Sequence, residues 1–121
     1  MAQASEELLG QLLKEVSRSF YLTLRVLPAK IRSSIGLAYL LARTTDTIAD
    51  TELVALEQRL EALRQLRERI QGRRETPLDF GDLARQQASR AEGVLLEKCE
   101  SSLALLRRLP LADGQLVREV L

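Results

Sequence analysis

Tyr39, Arg43, Asp46 and Asp50 fall at i, i+4, i+7 and i+11 within the segment Tyr39-Leu-Leu-Ala-Arg-Thr-Thr-Asp-Thr-Ile-Ala-Asp50. At about 100° per residue these four side chains share one strip of a helix, with two carboxylates one turn apart. Oxygen ligands at that spacing suit Mg²⁺, a hard and strongly hydrated cation that takes one or two protein carboxylates and completes its shell with water and phosphate oxygens. Arg43, one turn earlier, can pair with a phosphate or with Asp46. Paired acids at this spacing also occur on many solvated helices, so the context matters. Ile35, Leu37, Ala38, Leu40, Leu41 and Ala42 flank the strip, which is therefore expected to line an interior cavity. Two like charges one turn apart repel by a few tenths of a kcal/mol, a cost that a bound cation removes.

A second segment, Ser17-Arg18-Ser19-Phe20-Tyr21, places two hydroxyls and a guanidinium beside an expected helix start. Such a group can contact a phosphate through side-chain and backbone donors, or serve simply as an N-cap with an exposed Arg. Of the four aromatics, Phe20, Tyr21 and Tyr39 fall near these two segments and Phe80 lies elsewhere. An aromatic wall can steady a carbocation, while core packing is the commoner use of such rings. Tyr39 is read first as a pocket-lining residue.

Composition narrows the chemistry further. Eighteen Lys and Arg stand against 17 Asp and Glu, for a net charge of +1, which argues against a nucleic-acid binder with its concentrated basic surface. The 121 residues contain no His, so imidazole proton transfer, Ser-His-Asp triads and His-containing zinc sites are excluded. Cys99 stands alone. It allows no intramolecular disulfide or thiolate cluster, suits a reducing compartment, and is expected to pack as a small apolar residue. No apolar run approaches a membrane span, and Met1 to Glu7 lacks the positive region of a secretory signal. A soluble, cytoplasmic protein is expected.

The elements that must position the two segments read as helices nearly throughout, because Leu and Ala recur at three- and four-residue spacings. The fold class expected is all-α, a helical bundle in one region covering 1–121. A first helix starts after an N-cap at Ser5 and buries Leu8, Leu9, Leu12, Leu13 and Val16. A second apolar segment covers 20–27 and stops at Pro28, which occupies the first turn of a third helix running to about Asp50. Thr51 is expected to cap a fourth, packed helix with the stripe Leu53, Leu56, Leu60, Leu63, Leu66 and Ile70, too short for a coiled coil. Five acidic and six basic residues lie between Glu52 and Glu75, so Arg64, Arg67, Arg69, Arg73 and Arg74 read as a solvated, partly paired face. A loop is expected over 71–81, then one long helix over about 84–109 broken by Pro110, then a helical pattern over 116–121.

The two segments together resemble the squalene and phytoene synthase family of head-to-head prenyl transferases. The resemblance rests on Val16-Ser-Arg-Ser-Phe20 and on the Tyr39, Arg43, Asp46, Asp50 strip, in the same order and at a similar separation. It continues more weakly through Leu109-Pro110 to Arg118-Glu119-Val120-Leu121. It implies an isoprenoid-synthase-type helical fold. Asp46-Thr-Ile-Ala-Asp50 matches the aspartate-rich motif that binds Mg²⁺ bridging to a substrate diphosphate. Ser17, Arg18, Ser19, Phe20 and Arg43 match residues that hold the diphosphate. The implied catalytic set is Asp46, Asp50 and Tyr39.

By that resemblance two farnesyl diphosphates couple to presqualene diphosphate, which NADPH reduces to squalene; no reductant-binding motif is visible. The phytoene branch joins two geranylgeranyl diphosphates, and a dehydrosqualene synthase omits the reduction. Phytoene synthases commonly read Cys-Arg-x-x-Asp-Glu across the first motif, where this chain has Ala42 and Thr47 in place of the Cys and Glu, so the squalene branch is preferred. The family also carries a second aspartate-rich helix facing the first. Asp79 and Asp82, beside Gly81 in the expected loop, do not match it. The expectation is an N-terminal portion of a synthase, inactive alone, whose partners are a prenyl diphosphate and the remainder of the synthase chain, with peripheral membrane contact left open. The rival reading is a non-catalytic helical interaction module that buries its leucine stripes against a partner.

Overall fold

A computed structural model describes residues 2–121, with side chains from Leu9 onward except Lys30. Eight helices follow one another and no strand occurs among the described residues: α1 (Ala2–Val16), α2 (Arg18–Leu24), α3 (Ala29–Ala49), α4 (Leu56–Ile70), α5 (Gly81–Arg85), α6 (Arg90–Glu97), α7 (Cys99–Arg108) and α8 (Leu111–Val120). The all-α class holds.

The long helix α3 is the axis of the bundle. It packs against α1, α2, α4, α6, α7 and α8. Leu37, Leu40, Leu41, Thr44, Thr47 and Ile48 form its buried stripe, at the three- and four-residue spacing that keeps side chains on one helical face. The buried hydroxyls in this stripe do not compete with packing, because Thr44 Oγ1 donates to the Leu40 carbonyl at 2.8 Å. Such back-bonding satisfies a threonine inside a helix. From the other side come Leu9, Leu12 and Leu13 of α1, Leu66 and Ile70 of α4, and Leu95, Leu96, Leu103 and Leu106 of α6 and α7.

Several boundaries differ from the sequence expectation. Helix α1 starts at Ala2, so Ser5 sits within its first turns rather than at its N-cap; the side chains of Ser5 and Leu8 lie outside the described residues. Helix α2 begins at Arg18 and ends at Leu24, and Pro28 stands just before α3 as its N-cap rather than in its first turn. Thr51 closes α3 instead of capping α4: its hydroxyl donates to the Thr47 carbonyl at 2.6 Å, and α4 starts five residues later with Ala55 as N-cap. The end of α3 is held further by Arg59, whose Nη1 donates to the Ala49 carbonyl at 2.7 Å, a cation satisfying a carbonyl at a helix C-terminus. Only the lower half of the expected α4 stripe is covered. Leu66 and Ile70 are buried while Leu53, Leu56 and Leu60 are exposed.

The single long helix expected over 84–109 is three helices. Ser89 interrupts it, its hydroxyl accepting the Glu92 N–H as the N-cap of α6, and Lys98 separates α6 from α7. Asp82 belongs to α5 and pairs with Arg85, rather than lying in a loop. Pro110 ends α7 as expected and stands before α8, which starts at Leu111.

The expected loop is present over 71–80 and turns at Gly72, where φ is +76°. One side chain of the expected solvated arginine face anchors it. Arg69 is only 7% exposed; its Nη1 and Nη2 donate to Glu100 Oε2 and Oε1 at 2.6 and 2.8 Å, and Nη1 also reaches the Thr76 carbonyl at 3.1 Å. Glu100 Oε2 accepts the Leu78 N–H at 2.9 Å. A fork-to-fork pair of this kind gives both Nη groups of a buried guanidinium an acceptor, which a single contact would not, while Nε stays buried without one. Arg64, by contrast, is exposed and pairs with Glu61 and Glu68 along its own helix, as expected.

Candidate functional site

Helices α2 and α3 bring the two chemistry-bearing segments together. The Ser17 hydroxyl accepts the Phe20 N–H at 3.3 Å, which starts α2 and fixes where Phe20 emerges. The Phe20 ring then stacks on Tyr39 of α3, with centroids 4.1 Å apart and planes 15° from parallel. Both rings are half-buried and packed against the hydrophobic core. The strip Tyr39, Arg43, Asp46, Asp50 continues from this stack toward the C-terminal end of α3. Arg18 and Ser19 are exposed on α2. The capping role of Ser17 leaves its own O–H free to donate.

Burial falls along the strip. Tyr39 and Arg43 are half-buried, whereas Asp46 and Asp50 are exposed. The two aspartates therefore face outward rather than lining an interior cavity, which corrects the sequence expectation. The reason is register: the core of this region is filled by Thr44, Thr47 and Ile48, and the aspartates fall on the opposite side of the same turns. Two clefts among the described residues lie away from the aspartates, one of about 520 Å³ between α1 and α6 and one of about 280 Å³ lined by Tyr21, Arg25 and Arg32.

Arg43 does not pair with Asp46. Its Nη2 donates to Glu92 Oε1 of α6 at 3.1 Å, and Glu92 Oε2 accepts the Thr47 hydroxyl at 3.4 Å. The guanidinium keeps an unpartnered, buried Nε. Asp46 and Asp50 consequently make no side-chain hydrogen bond or ion pair among the described residues. Two free carboxylates one turn apart fit the donor set of Mg²⁺, which needs few protein ligands when phosphate and water supply the rest. Among the described residues no third His, Cys, Asp or Glu joins them to make a self-sufficient metal cluster.

Glu92 is the neighbour of the strip that the sequence reading missed. A local signal was there: Ser89-Arg-Ala-Glu92 is a capping-box pattern that marks a helix start. The structure uses half of it, the Ser89 cap, and sends the Glu92 carboxylate to α3 instead of back to the Ser89 N–H. No local pattern reveals a partner 49 positions away.

The family model for squalene/phytoene synthase matches residues 13–114, a span that holds both segments and Glu92. Squalene synthase BSS of Botryococcus braunii is 35% identical over 63 residues, covering 52% of this chain and 14% of that relative. The chain thus matches only a small part of that relative's length. No solved structure gives a match. No helix among the described residues is long and apolar enough to cross a membrane. With the family match covering well over half of the sequence, the chain belongs to the squalene/phytoene synthase family.

Proposed function

We propose that this chain is the N-terminal portion of a Mg²⁺-dependent prenyl transferase that joins two farnesyl diphosphates head-to-head, through presqualene diphosphate, to squalene. The observation that supports the reading is the Phe20–Tyr39 stack, by which the residue that follows Ser17-Arg18-Ser19 touches the first residue of the Tyr39, Arg43, Asp46, Asp50 strip. Asp46 and Asp50 would hold Mg²⁺, which when bound neutralises the leaving diphosphate. Ser17, Arg18, Ser19 and Arg43 supply hydroxyl and guanidinium donors to its oxygens, and guanidinium groups suit phosphate through their paired N–H geometry. The Phe20 and Tyr39 rings offer apolar, π-rich surface to an allylic cation and exclude water from it.

The squalene branch is supported by the named relative in Botryococcus braunii and by Ala42 before Arg43 and Thr47 after Asp46. NADPH would serve the reductive step. Phytoene or dehydrosqualene formation is the second reading within the same chemistry. The test is product analysis of the full natural chain with Mg²⁺ and either farnesyl or geranylgeranyl diphosphate, with and without NADPH. Squalene from farnesyl diphosphate, only when NADPH is present, is expected. A C40 product from geranylgeranyl diphosphate would move the assignment to the phytoene branch, and no condensation of either substrate would overturn it.

A further inference from the structure

We infer that Glu92 is a positioning residue for diphosphate binding, holding the Arg43 guanidinium in its working orientation from the neighbouring helix α6; this rests on the function proposed above. Three observations carry it. Glu92 is half-buried and its two oxygens are divided between two α3 side chains, Arg43 at 3.1 Å and Thr47 at 3.4 Å. These are successive turns of the helix that carries Asp46 and Asp50. The carboxylate engages Arg43 through Nη2 alone, so the fork is fixed without being consumed, and its Nη1, which no hydrogen bond occupies on this partly exposed side chain, is left to an anion. Arg is a long side chain with much rotamer freedom to lose, so a carboxylate that has already ordered it lowers the cost of binding a phosphate there.

Glu92 is itself held in place, which a chance surface pair would not be. The Ser89 cap fixes the first turn of α6, and α6 packs directly on both α1 and α3. The link also explains why Arg43 does not neutralise Asp46: the strip's one guanidinium is drawn sideways, and both aspartates stay free for a cation.

The test is a double-mutant cycle in the full natural chain, reading KM and kcat for farnesyl diphosphate together with calorimetric binding of inorganic diphosphate in Mg²⁺. Glu92→Ala is expected to raise KM and weaken diphosphate binding about tenfold, the loss of one charge-assisted hydrogen bond, with helix content unchanged. Glu92→Gln, which can still accept from Arg43, is expected to recover most of the loss. In an Arg43→Ala background, Glu92→Ala is expected to cost nothing more, because its effect passes through Arg43. Full additivity of the two substitutions, or an unchanged KM in Glu92→Ala, would overturn the assignment while leaving the functional reading intact. A wild type that neither turns over farnesyl diphosphate nor binds diphosphate would sink both.

Discussion

Phe20 of α2 and Tyr39 of α3 lie ring on ring, 4.1 Å between centroids, and this contact joins two segments that a turn and part of α3 separate in sequence. An aromatic pair of this kind contributes about 0.5–1.5 kcal/mol beyond the area it buries. Phe20→Leu keeps much of the apolar volume and removes the stack. It is expected to lower stability by about 1 kcal/mol in urea titration and to lower turnover by more than that loss of stability explains. Equal turnover by the folded fraction would show that the stack is packing alone.

The Arg69–Glu100 pair is the expected stability hinge of the 71–80 loop. Glu100→Ala leaves a buried guanidinium with the Thr76 carbonyl alone and the Leu78 N–H without its acceptor, at a cost of about 1–3 kcal/mol. An unchanged urea midpoint would contradict this.

That pair also sets a pH dependence. Burial works against the charged form of Glu100, but hydrogen bonds from Arg69 and the Leu78 N–H, with the Arg69 and Arg107 charges, outweigh it and hold the carboxyl below its ordinary value of 4.5. A lowered carboxyl contributes stability in full above its unfolded value and loses it as pH falls through the folded one. The advantage of wild type over Glu100→Gln is therefore expected to be complete at pH 7 and to shrink below about pH 4. Urea midpoints across that range check it, and a gap that widens in acid would contradict it.

Cys99 offers a chemical probe of the core. It is 2% exposed, and burial, assisted by the Glu100 charge, pushes its thiol up to about 12. Since the thiolate is the reactive form, the native protein at pH 8 is expected to resist a disulfide reagent and to react fully on unfolding. Prompt labelling of folded protein would show that α7 opens readily.

How much of this was legible beforehand depended on whether the decisive interaction was local. Helix periodicity placed α1, α3 and the buried half of α4, and the spacing of Tyr39, Arg43, Asp46 and Asp50 identified the strip. Thr51 was misread because a hydroxyl can close the helix behind it as readily as cap the one ahead. Charge pattern alone makes Arg69 a solvated side chain because Glu100, which allows its burial, lies 31 residues away. Leu53, Leu56 and Leu60 keep helical or near-helical spacing yet stay exposed, since a pattern shows which face is apolar without showing what covers it. The outward aspect of Asp46 and Asp50 follows from which α3 turns the neighbouring helices happen to bury, and a strip on its own does not disclose that.

The most direct measurement is turnover of farnesyl diphosphate by the full natural chain carrying Asp46→Asn, with circular dichroism to establish the fold. Asp46 is exposed and makes no side-chain contact among the described residues, so the substitution is expected to leave folding intact while cutting turnover by at least about a hundredfold through loss of the metal carboxylate. Undiminished turnover in a folded Asp46→Asn protein would contradict the assignment of this strip as the Mg²⁺–diphosphate site.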